Sequence, residues 1–227
     1  MNYELGIVGG MGPLATSVLF DYIVRHTAAN KDQDHINALI LNHATLPDRT
    51  DVILHGKDED FLDAVKGDYD ILNALNVPLI AFPCNTGHYF FDAMEAMADG
   101  KIINMIDETL ARCKAMGAKK VAVFATEGTT SIITKLYDRY AKAHDLGVVY
   151  PTAEEQAQIT RVIYDVKELG QTRFPVMDEL IHKYTKDAVV ILACTELSTI
   201  GIDHEKVVDT TQVLGDVIIE RCGRKRV

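Results

Sequence analysis

The sequence lacks several features that would assign it to a membrane or secreted class. No apolar run reaches the roughly 18 residues that a membrane-spanning helix needs. Residues 1–5 lack the charged and apolar regions of a signal peptide. The four cysteines, at positions 84, 113, 194 and 222, form no CxxC pair. We therefore expect a soluble cytoplasmic protein whose thiols are reduced.

An excess of basic residues is also missing. Lysine and arginine number 23 against 33 aspartates and glutamates, which gives a formal net charge of −10 at pH 7. This negative charge disfavours a nucleic acid or an anionic membrane as the main partner. The only basic stretch, residues 221–226, is short and suits the end of a helix. The composition predicts a globular protein without a nucleic-acid or membrane partner.

Two of the cysteines end short apolar segments, one in each half of the chain. Residues 77–82 lead into Pro83-Cys84-Asn85-Thr86, and residues 188–193 lead into Cys194-Thr195-Glu196. A short apolar run bounded by turn residues is typical of a strand buried on both faces. Ligands of parallel sheets gather at the carboxyl ends of the strands. The pattern therefore places two thiols where an active site is expected.

Strands and helices alternate along the whole chain, which predicts parallel sheets covered on both faces. The predicted strands are 5–8, 38–41, 77–82, 101–104, 120–124, 148–150, 188–193 and 206–209. Helices are predicted over 14–28, 58–75, 87–98, 107–116, from about 130 to 143, 153–167, 174–184 and 212–221. Residues 44–57 show no clear period, so we expect a loop over the strand ends.

The second half repeats the element order of the first. Gly6-Ile7-Val8 matches Val121-Ala122-Val123, the two cysteine segments match, and Lys101-Ile102-Ile103-Asn104 matches Lys206-Val207-Val208-Asp209. These anchors favour an old duplication, with chance similarity among buried strands as the alternative. We predict an α/β fold of two similar, pseudo-twofold-related lobes, each a mainly parallel sheet flanked by helices. The first lobe would comprise 1–104 plus about 210–227 and the second 105–209, with the active site in the cleft between them.

Two opposed thiols have a specific chemical use. A free cysteine has a pKa of about 8.5, and a position just before a helix amino terminus lowers it. One thiolate could take a proton from a stereocentre while the opposite thiol delivers one to the other face, which is racemisation by general acid–base catalysis. A free cysteine is more often a small buried apolar residue, and we interpret Cys113 and Cys222 in that way.

Four motifs carry a resemblance to the aspartate/glutamate racemase superfamily, and within it to the aspartate racemases. They are Gly9-Gly10-Met11-Gly12-Pro13-Leu14-Ala15-Thr16, Pro47-Asp48-Arg49-Thr50, Pro83-Cys84-Asn85-Thr86-Gly87-His88 and Cys194-Thr195-Glu196-Leu197. The resemblance implies a racemase that needs no cofactor and interconverts L- and D-aspartate, with Cys84 and Cys194 as the acid/base pair. A racemase of glutamate, or of both acids, is the alternative. It also implies a homodimer and a final helix that returns to the first lobe.

By the same resemblance, Arg49 and Lys167 hold the substrate carboxylates. An amino-dicarboxylate needs more than one cation, and arginine can bind a carboxylate through two hydrogen bonds. Taken alone, each would be a solvated surface charge. Gly87 stands where the family commonly has alanine, and Ala193 where it commonly has glycine. The predicted substrate-binding residues are Met11, Arg49, Asn85, Thr86, Thr126, Thr129, Lys167, Thr195 and Glu196.

Three other functions compete with the racemase. Gly10-Met11-Gly12-Pro13-Leu14-Ala15 fits the GxGxxG/A pattern of dinucleotide-binding proteins, but the second predicted strand ends in Asn42-His43 instead of an acidic residue. Cys84, His88, Cys194 and Glu196 could form a zinc site, although no CxxC or HxxxH spacing supports one, and we predict no metal. A protein that binds acidic amino acids without turning them over is the third alternative.

Overall fold

The structure, a computed structural model, describes residues 2–131, 134–170 and 172–227. Within these ranges the chain forms two four-stranded sheets. The strands of the first sheet are β1 (Leu5–Gly9), β2 (Ala38–Asn42), β3 (Leu79–Ala81) and β4 (Lys101–Ile102). Those of the second are β5 (Lys120–Phe124), β6 (Gly147–Val149), β7 (Val189–Leu192) and β8 (Val207–Asp209).

Helices connect the strands. They are α1 (Pro13–His26), α2 (Arg49–His55), α3 (Asp58–Ala74), α4 (Phe91–Met97), α5 (Met105–Ala115), α6 (Glu127–Thr130), α7 (Leu136–Ala141), α8 (Ala153–Leu169), α9 (Pro175–Tyr184) and α10 (Thr210–Arg221). Short 3₁₀ turns follow both cysteines, at Thr86–Phe90 and Leu197–Ile200. Among the residues described, no helix is both long and apolar enough to cross a bilayer.

The two sheets have the same topology. Their strand orders are β2-β1-β3-β4 and β6-β5-β7-β8, and every neighbouring pair is parallel. The strands that precede the two cysteines, β3 and β7, therefore hold equivalent inner positions. The helices after the last strand of each sheet also begin alike, since Asn104 caps α5 and Asp209 caps α10 with side-chain oxygens. The predicted fold of two similar α/β lobes is confirmed.

The prediction of a loop over 44–57 is wrong, because α2 begins at Arg49. Asp48 caps this helix by accepting a hydrogen bond from the Asp51 N–H at 3.0 Å. Gly56 ends it in the left-handed conformation, with φ of 63°. A helix of seven residues spans about two turns, which is too short to show a clear hydrophobic period. The consequence for function is that Arg49 stands at a helix start.

A second difference concerns the predicted helix that ends near residue 143. The structure has two shorter helices there, α6 and α7, and a 3₁₀ turn at Lys142–His144. Between them, the Thr134 hydroxyl donates to the Thr129 carbonyl at 3.1 Å, and such side-chain bonds to the backbone compete with a continuing helix. The predicted helix also includes Ile132 and Ile133, which lie outside the described residues.

The two sheets share one apolar core. Its buried members come from β1 and β3 of the first sheet, from β5 and β7 of the second, and from α1, α5, α7 and α10. Separate clusters cover the other faces, with α3 packed on the first sheet and α8 and α9 on the second. Because both faces of the inner strands β3 and β7 are buried, these strands are continuously apolar.

Helix α10 packs against α1 and α5, and one buried carboxylate joins these elements. Asp216 accepts a hydrogen bond from the Tyr22 hydroxyl at 2.9 Å and from Arg112 Nη2 at 2.9 Å. Arg226 near the C-terminus donates to the same carboxylate. The two arginine side chains are 39% and 38% exposed, so each keeps access to water. Asp216 thus links α10 to α1, to α5 and to the end of the chain.

We expect Asp216→Asn to lower the free energy of unfolding by about 2 kcal/mol, the order for hydrogen bonds to a charged group. This decrease should be smaller than that for breaking a fully buried ion pair, because both arginine side chains can be solvated after the substitution. Urea unfolding followed by circular dichroism measures it. Glu220→Gln, on the same helix and in an exposed pair with Arg226, is the control and should cost under about 1 kcal/mol. Equal losses in the two variants would contradict this role of Asp216.

Candidate active site

Both strand-end cysteines line one small cavity between the two sheets. Cys84 and Cys194 are each only 8% exposed. Every predicted site residue except Thr129 lines this cavity with them, namely Met11, Arg49, Asn85, Thr86, Thr126, Lys167, Thr195 and Glu196. Four further wall residues were not predicted from the sequence, namely Asp48, Thr50, Tyr164 and Ala193. Asp48 and Thr50 flank Arg49 in its motif, and Tyr164 lies one helical turn before Lys167.

The cavity is small. Its volume is about 20 Å³, enough for about one water molecule. A second cavity of about 360 Å³ shares five wall residues with it: Met11, Asp48, Arg49, Lys167 and Glu196. The larger space therefore adjoins the cavity that the thiols line, although neither cysteine is in its own wall.

Cys194 is paired with an acid. Its Sγ donates to Glu196 Oε2 at 2.9 Å, and Lys167 Nζ lies 3.7 Å from Glu196 Oε1. Burial, followed by the charge and hydrogen bond of Glu196, raises the pKa of the Cys194 thiol well above its ordinary value, although Lys167 opposes this. Cys194 is therefore a protonated thiol whose proton already points at a carboxylate.

Cys84 has a different environment. The chain turns into a 3₁₀ helix immediately after it, and the residue that matches Glu196 in the other half is Thr86. The Thr86 hydroxyl lies 3.0 Å from Thr126 Oγ1 and 2.9 Å from Thr129 Oγ1, so it bridges to the second half. Thr129 is fully buried and contacts Thr86 instead of the cavity. The two thiols are alike in backbone position but not in their side-chain partners.

A glycine allows this close approach of the halves. A Cβ on Gly128 of α6 would lie 2.7 Å from Thr50 Oγ1 and 2.8 Å from Cγ2 of Thr86. Real side-chain atoms do not approach so closely, so any larger residue would push α6 away from the Cys84 segment. The threonine contacts across the cavity depend on the missing side chain at this position.

Among the residues that the structure describes, Arg49 is a buried cation without an anionic partner. It is 9% exposed, and its Nη1 donates to the carbonyl oxygens of Pro47 at 2.8 Å and Leu46 at 3.4 Å. The Nε has no hydrogen-bond partner, and within the described ranges no carboxylate lies at ion-pair distance. Burying an unpaired charge is costly. Arg49 therefore leaves in the wall of the site a positive charge that no carboxylate of the described residues neutralises.

Lys167 is the second cation of the site, and its side chain is 31% exposed. Its Nζ lies 5.3 Å from the centre of the Tyr164 ring, within cation–π range. Partial burial lowers the pKa of Lys167, but the nearby acidic groups, with Glu196 contributing most, outweigh burial and raise it overall. Lys167 therefore stays positively charged across the physiological pH range.

The geometry argues against His88 as a metal ligand. Its Nδ1 donates to the Cys84 carbonyl at 2.8 Å and its Nε2 accepts from the Met105 N–H at 3.1 Å. Burial lowers the pKa of His88 to about 4, so the ring is neutral. Both ring nitrogens are therefore occupied by backbone groups. Among the described residues, no three His, Cys, Asp or Glu side chains are grouped to hold a metal ion.

Two parallel sheets with a shared core, and two strand-end thiols in one cavity between them, define an α/β protein with a paired-thiol site. The model of the Asp/Glu/Hydantoin racemase family matches residues 8–216. The chain therefore belongs to the Asp/Glu/Hydantoin racemase family.

Individual relatives agree with this assignment. The chain is 25% identical over 209 residues to the broad specificity amino-acid racemase RacX of Bacillus subtilis (strain 168), with 88% of each protein covered. It is similar in structure to the aspartate racemase of Picrophilus torridus, with a TM-score of 0.84, 26% identity and 98% and 95% of the two chains covered. The glutamate racemase of Francisella tularensis shares the fold, with a TM-score of 0.64, 17% identity and coverage of 96% and 80%.

We expect Glu196→Gln to lower the pKa of the Cys194 thiol, because the charge that disfavours its thiolate is removed while burial remains. Alkylation by iodoacetamide follows the thiolate fraction. Its pH midpoint at Cys194, read by peptide mass spectrometry, should therefore move to lower pH. Glu205→Gln on the exposed surface is the control. An unchanged or higher midpoint in Glu196→Gln would contradict the electrostatic role of Glu196.

Proposed function

We propose that this family member is a cofactor-independent racemase that interconverts L- and D-aspartate, with Cys84 and Cys194 as the acid/base pair. The observation that carries the proposal is the shared cavity. It joins two thiols from equivalent strand ends of opposite halves with Arg49, a buried cation for which the described residues supply no counterion. A thiol pair suits proton transfer at a stereocentre, and an unpaired buried cation suits a carboxylate.

The proposed reaction moves one proton onto the enzyme and one off it. The thiolate of one cysteine removes the Cα proton and becomes a thiol, and the electron pair of the broken C–H bond remains on the substrate. The thiol of the other cysteine donates its proton to the opposite face of Cα and becomes a thiolate. The free enzyme then holds the reverse protonation state, which suits the opposite enantiomer. No group outside the protein and the substrate is needed for this balance.

Glu196 would govern the protonation of Cys194. When Cys194 acts as acid, its proton is already ordered by the 2.9 Å hydrogen bond to the carboxylate. When it must act as base, it is the thiolate left after its proton has gone to Cα, and Lys167 beside Glu196 stabilises that negative charge. Cys84 has no acid at the matching position, so the two directions of the reaction need not have the same pH dependence.

The two cations would bind and activate the dicarboxylate. Arg49 can hold one carboxylate through parallel hydrogen bonds, and Lys167 can neutralise the other. Charge that develops on the α-carboxylate as the Cα proton leaves is stabilised by donors that are already in place. The hydroxyls of Thr86, Thr126 and Thr195 would complete the binding of the α-substituents.

Binding also requires the site to widen. Aspartate does not fit a space of about 20 Å³, which holds about one water molecule. The adjoining space of about 360 Å³ reaches the same Arg49 and Lys167. We propose that substrate enters from this side and that Met11 and the two cationic side chains move apart to admit it.

The decisive experiment incubates reduced, metal-free protein in D₂O with each enantiomer of aspartate and of glutamate. We expect optical rotation to decay to zero while deuterium appears at Cα, fastest with aspartate. Decay that is faster with glutamate would reverse the substrate order. Tight binding without exchange would instead support the binding-protein alternative.

Single substitutions separate the two thiols. Cys84→Ser and Cys194→Ser should each lower racemisation by at least about 10²-fold, the order of one acid/base group, with the far-UV circular dichroism unchanged. Each variant keeps one thiol, so it should still exchange the Cα proton of a single enantiomer with retention of configuration. Mass spectrometry with chiral chromatography identifies that enantiomer. Near-normal racemisation in either variant would refute the two-thiol mechanism, and Cys113→Ser is the matched control.

A broader substrate range is the second candidate function. The cavity of about 360 Å³ is partly apolar, with Met11, Leu14, Leu46 and Val166 in its wall, which favours side chains longer than that of aspartate. The similarity to a protein named as a broad specificity amino-acid racemase supports this possibility.

Arg49→Met separates the two substrate assignments. Loss of a charge-assisted contact to either carboxylate should lower kcat/KM for aspartate by about 10²-fold. For methionine, which has no side-chain carboxylate, the decrease should be smaller if Arg49 binds that group. The ratio of kcat/KM for aspartate to kcat/KM for methionine shows which carboxylate Arg49 binds. Arg161→Met, on the exposed face of α8, is the control. An equal decrease for both amino acids would place Arg49 on the α-carboxylate instead.

The oligomeric state, the location in the cell and the lobe boundaries stay predictions. The homodimer, the cytoplasmic location and the division into lobes at 104 and 209 come from the sequence and from the resemblance. A small acidic amino acid is the proposed partner of the site, and the α/β fold supplies the cavity that would bind it.

A further inference from the structure

A series of buried hydrogen bonds connects the segments that carry the two thiols. The Tyr137 hydroxyl donates to Asn85 Oδ1 at 2.7 Å. Asn85 Nδ2 donates to Thr210 Oγ1 at 3.0 Å, and that hydroxyl donates to the Leu192 carbonyl at 2.9 Å. Tyr137 and Thr210 are fully buried and Asn85 is 3% exposed. No water is needed to complete the series, which we call the Asn85 relay.

The relay crosses between the two halves. Asn85 follows Cys84 at the end of the first sheet's β3. Tyr137 lies on α7, and Thr210 is the first residue of α10 after β8. Leu192 is the last residue of β7, two positions before Cys194. Three hydrogen bonds in series thus join the backbone next to one thiol to the backbone near the other.

The proton assignments in the relay are mutually consistent. The Thr210 proton is used on the Leu192 carbonyl, so the Thr210 oxygen must accept from an N–H of Asn85. This orients the amide and leaves Oδ1 to accept from Tyr137. Burial, with Cys113 and Tyr150 nearby, raises the pKa of Tyr137 well above its ordinary value, so its proton is retained. The opposite amide orientation would leave the Tyr137 hydroxyl without an acceptor in a fully buried position.

Asn85 itself lines the cavity, but neither Tyr137 nor Thr210 does. Both principal hydrogen-bonding atoms of the Asn85 side chain are occupied by the relay, which reduces what they can offer a substrate. The hydroxyls of Tyr137 and Thr210 already have partners in the relay, so their burial needs no contact with the substrate. Their hydroxyls act on the position of Asn85, and through it on the Cys84 segment.

We propose that Tyr137 and Thr210 are positioning residues that act through Asn85 to set how Cys84 and Cys194 face each other across the cavity. The proposal rests on the two-thiol function. Proton transfer needs each sulfur within about 3 Å of its target, and a misplacement of about 1 Å can cost about 10²-fold in rate. Cys84 takes part in both directions of racemisation. If it is misplaced, the rate should therefore fall with both enantiomers.

The first test removes one hydroxyl from each end of the relay. Tyr137→Phe keeps the ring, and Thr210→Val keeps the shape of the side chain. Each should lower kcat by about 10-fold or more with both enantiomers. KM should change by less than about 2-fold, because neither residue contacts the substrate. Thr210→Ser retains the hydroxyl and should keep the wild-type kcat.

Matched controls separate positioning from a general loss of packing. Tyr69 is also fully buried, and within the part of the chain that the structure describes its hydroxyl has no partner. Tyr69→Phe should leave kcat unchanged. The double variant Tyr137→Phe/Thr210→Val should lose little more than the worse single variant, because both substitutions interrupt one relay. Wild-type kcat in Tyr137→Phe and Thr210→Val, or equal losses in Thr210→Ser and Thr210→Val, would overturn the proposal.

A second measurement does not depend on turnover. The rate at which iodoacetamide alkylates Cys84, read by peptide mass spectrometry, should change at least about 3-fold in Tyr137→Phe and Thr210→Val. It should not change in Tyr69→Phe. If the wild-type protein racemises none of the amino acids tested, the proposed function fails, and the alkylation rates still decide whether the relay positions Cys84. An unchanged alkylation rate in both relay variants would overturn the inference by itself.

Discussion

Parallel strand pairing is the constraint on which the rest of the structure depends. It brings the carboxyl ends of β3 and β7 to equivalent edges of two sheets that have the same strand order. A parallel sheet also has to be covered on both faces. The helices between the sheets meet this need for both sheets at once, so the halves share a core. Because the core is shared, both strand ends lie at one cavity, and Cys84 and Cys194 line it.

The repeated backbone carries different chemistry in its two halves. Cys194 is followed by Glu196, which accepts its thiol proton, whereas the matching residue after Cys84 is Thr86, which binds threonines of the other half. The same divergence continues one turn later. His88 accepts from the Met105 N–H at the start of α5, and Ser198 at the matching position donates to Asp209, the cap of α10. Equivalent backbone therefore holds one acid-paired thiol and one thiol without an acid.

The walls of the cavity combine neutral polar side chains, two cations and two carboxylates. The contacts of Thr86 and the amide of Asn85 are satisfied by groups of the second half, which holds the Cys84 segment in place. Within the described part of the chain, Arg49 is left without a counterion, and the carboxylate nearest to Lys167 is that of Glu196 at 3.7 Å. The hydrogen-bonding groups of Thr86 and Asn85 thus have partners within the protein, whereas Arg49 lacks a counterion among the described residues. Such a site is suited to bind an anion, because the anion would offset the cost of the buried charge.

The sequence by itself determined the α/β class, the repeat, the two strand-end thiols and most residues of the cavity wall. Apolar runs and turn residues are local signals that survive without tertiary contacts. It did not reveal α2, because a helix of seven residues shows no period and is stabilised by its cap at Asp48. Only the tertiary structure decided the partners of Cys194 and Asn85, the exclusion of Thr129 from the wall and the lack of a counterion at Arg49. Tyr137, Asn85 and Thr210 lie far apart in the chain, and no local pattern can show that folding brings them into one series of hydrogen bonds.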